Sequence, residues 1–342
     1  MVHNGEIKHI LMKKLISFLI LTTCLLPSIL LAQSNSVKVE LVDGIYDPAL
    51  KSKIESNASK LLTAINNAFA RNSNVNYTGI VIDRMATQTI GMSWNHLRFC
   101  TLDNEIVEDC YKIERINRKS GSREVLNYQI RNIMVQITPL DASYDSGKLR
   151  EVCLDFDRNG KIIDFNFAMD KVSYANLLKE GNRLNDTDRR LQIISWCEKF
   201  KNAYNTKDKD FMQMIFSEDA LIITGKVIQP AKFKSEVQIS PAKVELVTKT
   251  KKQYLTKLFR AFDNKNNYIN VEFTDYEILR HGAKPNYYFV TLVQNWHSSI
   301  YSDTGNLSLV WDFTDDDNPK IQVRAWTPIS AGALGVNDIK LP

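Results

Sequence analysis

Apolar residues recur at Leu50, Ile54, Ala58, Leu61, Leu62, Ile65 and Phe69. That three-and-four spacing lays one stripe along an amphipathic helix, which Asp47-Pro48 opens. The period then shortens. Segments 75–82, 89–94, 97–101, 107–113, 129–137, 151–156 and 162–168 are short, rich in β-branched and aromatic residues, and divided by turn residues, so they read as strands. A helix feeding an antiparallel sheet is an α+β layer arrangement. Residues 171–187 read as a polar helical linker ending near Asp186 and Asp188, either of which can cap the next helix.

That helix spans 189–205, with Leu191, Ile194, Phe200 and Tyr204 along one side and Trp196 or Cys197 between them. A shorter helix over 210–216 follows, then a strand at 220–225, another near Val237, and a helix over 250–262 whose stripe is Tyr254, Leu255, Leu258, Phe259 and Phe262. Four strands close the pattern at 268–279, 287–298, 306–313 and 320–326. Residues 329–342 have no strong pattern and read as a tail. The expected organisation is a leader at 1–32, an α+β domain at 37–170, the linker at 171–187 and a second α+β domain at 188–328, and a length of 342 residues suits about two domains.

The leader changes the picture of where the chain works. Lys13 and Lys14 precede an apolar run from Leu15 to Leu31 that contains Pro27, and Ala32-Gln33 opens a polar stretch. A basic flank, a short apolar segment and a small residue at the cut describe a secretory signal peptide, and the proline argues against a membrane anchor. Met12-Lys13-Lys14 also reads as a natural start, so the true first residue is Met1 or Met12. Leu21-Thr22-Thr23 before Cys24 is a poor lipidation box. The expectation is a free exported protein, periplasmic or extracellular, with no membrane-spanning segment after the leader. Three lysines and one glutamate leave with residues 1–32, so the formal charge of +5 becomes +3. So mild a charge does not suit a dedicated nucleic-acid partner.

Four cysteines follow the leader: Cys100, Cys110, Cys153 and Cys197. An oxidising compartment permits disulfides, and Cys100 and Cys110 flank a connection that fits a hairpin. A Cys100–Cys110 bridge and four buried free thiols are both open readings. The cysteine spacing offers no zinc site, and the three later histidines, His96, His281 and His297, are scattered. Asp155-Phe156-Asp157-Arg158-Asn159-Gly160 imitates the start of a calcium loop, but its twelfth position is Asn166 and its flanks read as strands. A hairpin turn accounts for it better, so no metal or cofactor is expected.

Element order in the second half resembles the nuclear transport factor 2-like superfamily, which includes ketosteroid isomerase and the polyketide cyclases (SnoaL-like proteins). The residues that carry the likeness run from Ile193-Ile194-Ser195-Trp196-Cys197-Glu198 through Tyr204-Asn205-Thr206-Lys207-Asp208 to Phe211-Met212-Gln213-Met214 and Asp219-Ala220. The resemblance implies a helix ending in a tyrosine, an acidic residue opening a short second helix, and a curved sheet wrapped into a cone whose open end forms a pocket. It implies no particular chemistry, because one fold hosts many functions.

Strand alternation sorts the candidate residues by face. Tyr288, Trp296, Trp311 and Trp326, with Arg324, fit an aromatic ligand-binding wall, and equally a packed core. Asp312 or His297 as base, with Tyr204 as polar partner, would suit an acid–base reaction, while Asp312 and Arg324 on neighbouring strands also fit a cross-strand ion pair. The basic run Lys249-Thr250-Lys251-Lys252 reads as a solvated helix start. The leading expectation is an exported, non-catalytic binding or assembly protein with a pocket-forming cone, whose partner is a small molecule or an envelope protein. A homodimer through the C-terminal sheet is a third arrangement that the pattern allows. The alternative is a small-molecule isomerase, dehydratase or hydrolase using an acid–base pair in that cone.

Overall fold

The computed structural model describes residues 35–116, 120–141, 149–184, 186–229, 232–235, 238–240, 243–335 and 338–339. The expected leader and Cys24 lie outside the described residues. From Ser36 onward the chain forms one compact unit, within which two large apolar cores and one small cluster can be distinguished.

The first core is built by the helix that opens the chain's hydrophobic pattern. Helix α1 (Pro48–Arg71) starts where the Asp47 carboxylate accepts from the backbone N–H groups of Ala49 and Leu50, and ends at Asn72, whose φ of 48° is left-handed. Its stripe of Ile54, Ala58, Leu61, Leu62 and Ile65 is buried. It packs on strands β2 (Leu97–Thr101), β5 (Arg123–Pro139), β6 (Leu149–Phe156) and β7 (Ile162–Phe167), which neighbour one another in that order, with β4 (Cys110–Ile116) also paired to β5. A separate parallel pair joins β1 (Lys38–Leu41) to β3 (Glu105–Glu108).

Two expectations are corrected in this half. Segments 75–82 and 89–94 are not strands: the first is irregular apart from a bridge at Ile82, and the second lies inside helix α2 (Arg84–Trp94). Asp83 caps that helix through the Met85 N–H, and Ala86, Ile90 and Trp94 bury at intervals of four, a helical period that outweighs the β-branched threonines. Thr87 and Thr89 donate instead to the carbonyls of Arg84 and Met85. Of the two readings open for Cys100 and Cys110, the bridge is not formed, and both thiols are free. Cys100 lies opposite Gln136 and Cys110 opposite Ile130 on the same strand. Six residues along a strand is roughly 20 Å, far beyond the ~7 Å that a disulfide spans between Cα atoms.

Helix α3 (Lys171–Leu184) occupies the expected linker and leads into α4 (Thr187–Asn205). Helix α4 is buried on nearly every side, including Arg190, Gln192, Glu198, Lys201 and Asn202, because it lies between the two cores. After α5 (Lys209–Ile215), capped by Asp208, the second half is a six-stranded mixed sheet in the order β11 (Lys243–Thr250), β8 (Phe216–Gln229), β15 (Lys320–Pro328), β14 (Tyr301–Asp312), β13 (Tyr287–Ser298), β12 (Ile269–Arg280). Only β8 and β15 run parallel. A small hairpin of β9 (Lys232–Ser235) and β10 (Gln238–Ser240) precedes β11, and α6 (Lys251–Asp263) follows it. The register breaks between Thr274 and Glu277, between Val310 and Trp311, and between Ile321 and Val323. Bulges of this kind bend and twist a sheet. The inner face packs Val290, Leu292, Leu307, Leu309 and Trp311 against α4 and α6.

The outer face is partly covered by the C-terminal segment expected as a patternless tail. The Ser308 hydroxyl donates to the Leu334 carbonyl, and Ile339 buries with Phe289, Val310, Val323 and Ala325. Among the described residues, no helix is long and apolar enough to cross a membrane.

Candidate ligand pocket

Where the inner face of the sheet rises past the end of α4, it leaves a half-open cavity of about 920 Å³. Helix α6 forms one wall. A capping box between Thr250 and Gln253 starts it directly after β11. Its Leu255, Leu258 and Phe262 stripe then goes into the core, which turns Tyr254 toward the cavity. Strands β13 and β15 supply Gln294, Trp296, Arg324 and Trp326.

Arg324 is the centre of this arrangement. Only 6 % of it is exposed, yet its hydrogen bonds go to neutral groups: Nε donates to the Tyr204 hydroxyl at 3.3 Å and Nη2 to Gln294 Oε1 at 3.2 Å. The Tyr204 and Tyr254 hydroxyls are 2.6 Å apart, and the guanidinium carbon lies 5.0 Å from the Tyr254 ring centre, within cation–π range. Trp296 meets the Tyr204 ring edge-on at 5.7 Å. At the lip, burial holds the Asp303 carboxyl above its usual range although Arg324 opposes this, and the Tyr301 hydroxyl donates to it. Burial, then repulsion from Lys257 and Arg324, hold the Lys249 ammonium below its usual value. Two further polar atoms in the lining lack a protein partner: Asn267 Oδ1, on a residue 3 % exposed, and Trp326 Nε1.

Of the residues singled out in the sequence, Trp296, Trp326 and Arg324 line the cavity, and Tyr204 stands one hydrogen bond behind it. Tyr288 and Trp311 are packed in the core instead, each near Phe313. Asp312 is on the other face of the sheet, opposite Lys320 in register, whereas Arg324 is opposite Leu309. Partial burial works against its ionised form, but hydrogen bonds from Thr314, Tyr287 and Gln322 keep its carboxyl below the usual range. His297 shares a hydrogen bond with Ser302 at 2.9 Å and meets the Tyr268 ring, on the strand face opposite Trp296. Strict alternation groups Ile321 with Val323 and Ala325. The bulge at this point breaks that grouping: Ile321 joins the inner core that Arg324 and Trp326 border, while Val323 and Ala325 point outward.

Tyr254, Gln294, Lys249, Lys257, Asn267 and Asp303 escaped the sequence reading. Gln294 carried a signal, because it interrupts an apolar face between Leu292 and Trp296. Lys249 belongs to the basic run, and that run divides in the structure: Lys249 lines the cavity, while Lys251 is buried and donates to the Phe216 carbonyl and to Glu218.

A second cavity, about 1020 Å³, lies between the α2 end of the first half and α5, with Tyr77, Met85, Trp94, Phe211 and Met214 in its lining. It is larger, but its charged groups Lys207, Asp208, Lys209 and Asp210 are half-buried or exposed, and none of its described lining residues is a buried cation. Among the described residues no cluster of three or more histidine, cysteine or acidic side chains can hold a metal ion.

No family model matches the sequence, and no curated protein does. Solved structures do match in part. A naphthalene 1,2-dioxygenase with indole in its active site aligns over 45% of this chain and 79% of its own, at 7% identity and a TM-score of 0.33. Bd1075 of Bdellovibrio bacteriovorus aligns over 49% of this chain and 47% of its own, at 16% identity and a TM-score of 0.31. An NTF2-like protein of Cytophaga hutchinsonii aligns over 40% of this chain and 95% of its own, at 18% identity and a TM-score of 0.28. NTF2-like structures thus stand among the matches. Likenesses this distant carry no argument about this chain, and the pocket rests on its own geometry.

Proposed function

We propose that this protein is an exported binding protein that takes a small organic molecule into the cavity at the mouth of its C-terminal sheet. One observation carries the reading: an open cavity of about 920 Å³ whose walls include Tyr254, Trp296, Trp326 and Leu258, with buried polar groups at its base. Ligand pockets characteristically have that size and that mixture of mostly apolar wall and few polar groups. The leader-like pattern of residues 1–32 supports export, and the mass of the chain recovered outside the cytoplasm tests it.

Two of the five tryptophans line the cavity, so occupancy changes the intrinsic fluorescence. A thermal-shift screen of aromatic, alicyclic and acyl compounds, followed by fluorescence titration of each hit, tests the reading, since a ligand of the native state raises the unfolding midpoint. Hits whose fluorescence response disappears in Trp296→Phe or Trp326→Phe support it. A screen with no shift, or hits indifferent to both tryptophans, rejects it.

One observation favours a catalytic role in the same cavity. Asp303 is a carboxyl held above its usual range at the lip of a cleft, a recurring property of acid–base groups. Catalysis therefore centres on Asp303 rather than on Asp312 or His297. Turnover of a bound hit that Asp303→Asn abolishes without weakening binding would establish it.

A further inference from the structure

The charges around the cavity are one-sided. Lys226, Lys249, Lys257 and Arg324 line it against the single carboxylate of Asp303. We propose that the ligand is an organic anion whose compact acidic head, a carboxylate or phosphate monoester, lies on Arg324 while its flat apolar body lies against Trp296 and Trp326. This rests on the pocket reading above and specifies what the pocket takes.

The argument starts from the cost of burying a cation. A guanidinium withdrawn from water needs an opposite charge or a full set of acceptors. Among the described residues, no carboxylate lies within 4.0 Å of Arg324, and its two hydrogen bonds leave Nη1 uncommitted. Asp303 acts on it from farther off, and that carboxylate accepts from the Tyr301 hydroxyl. The base of the cavity therefore holds a positive charge that the protein itself leaves unmatched. A planar guanidinium fixed by Tyr204 and Gln294 presents its remaining N–H groups in an orientation suited to a carboxylate or phosphate. Burial first, and then repulsion from Lys257 and Arg324, hold the Lys249 ammonium below its usual value, and rim lysines steer anions toward such an opening.

Titration calorimetry of the full chain with 2-naphthoate, 2-naphthyl phosphate and neutral 2-naphthamide tests the proposal, because the three share a body and differ in the head. At least one anion should bind ten or more times tighter than the amide, with an advantage that shrinks between 50 and 500 mM salt. The stronger of the two anions identifies the head. Arg324→Met should reduce the preference to less than about threefold. Should that variant fail to fold, the rim double variant Lys249→Gln/Lys257→Gln should lower the preference severalfold and flatten its salt dependence. Equal affinity for all three probes, or a preference untouched in every folded variant, overturns the anion inference and leaves the pocket reading standing. Absence of binding by all three overturns this inference, and the fluorescence screen then decides the pocket reading separately.

Discussion

Arg131 and Arg324 are the same side chain, buried almost equally, in two regions that treat it in opposite ways. At the junction of the two cores, Arg131 on β5 meets Glu198 on α4, each 1 % exposed, with a contact of 3.0 Å through Nη1 and a second, shorter one through Nη2. Nη1 also donates to Gln129, the guanidinium covers the Tyr174 ring at 3.9 Å, and Glu198 accepts the Met169 N–H at 2.7 Å. Every charge there is answered from within the chain. At the cavity, Arg324 has, among the described residues, a phenol and an amide as its hydrogen-bond partners. A closed ion pair between two packed elements fixes their arrangement; an unmatched cation facing open space has a task left for a ligand.

The sharpest way to break this comparison is at the junction. Glu198→Ala leaves Arg131 charged and buried without its carboxylate and frees the Met169 N–H. It should cost about 3–5 kcal/mol, the usual price of orphaning one member of a buried pair, read from urea unfolding. A loss near zero would mean that the junction is no more closed than the cavity. Next in size is a substitution at the cavity wall. A Cβ on Gly305 would stand 2.4 Å from two atoms of the Trp326 indole and 2.6 Å from the Thr327 carbonyl oxygen. Gly305→Ala should therefore displace the indole and destabilise by about 1–3 kcal/mol, while weakening any ligand that quenches Trp326. Unchanged stability and unchanged quenching would mean that the indole is not held against this strand.

Much of the frame was legible in the chain. The strand at 287–298 falls on Tyr287–Ser298, and helices expected at 189–205 and 250–262 are observed within two residues at each end, because long runs of regularly spaced apolar residues leave few alternatives. Illegible parts share a cause: they depend on residues that meet only in three dimensions. Segment 89–94 suggested a strand until the Asp83 cap and the four-residue spacing of buried side chains decided for a helix. Arg324 was read as a possible partner for Asp312 because the register that sets Arg324 opposite Leu309 belongs to two strands together and shows in neither alone. The pairing of Arg131 with Glu198 joins positions 67 residues apart, and neither position stands out in its own segment.

Asp155 gives a smaller effect with a defined sign. It accepts from Gln129 at 2.6 Å, with Lys199 at 3.9 Å, and burial raises its carboxyl to about 6 despite that lysine. The folded state thus holds this proton more tightly than the unfolded chain does. Its contribution to stability is complete below about pH 4 and is lost as pH rises through 6. Asp155→Asn removes the buried charge and leaves Lys199 its 3.1 Å contact with Asp164. The variant should gain on the order of 1 kcal/mol over the native protein at pH 7.5 and show no gain at pH 4, measured as unfolding midpoints at the two pH values. A gain at both would assign the effect to packing rather than charge.

The smallest effect on stability belongs to Arg324, and it completes the comparison. Replacing a buried charged group with an apolar one of similar size is often neutral or stabilising when no opposite charge is left behind. Arg324→Met orphans no carboxylate within 4.0 Å among the described residues, and it leaves the Tyr204 hydroxyl paired to Tyr254. Its unfolding free energy should stay within about 1 kcal/mol of the native value, or rise, even as discrimination between anionic and neutral probes disappears. A loss as large as that of Glu198→Ala would place Arg324 with Arg131, as a group the fold requires, and would remove the reason to read its unmatched charge as a binding site.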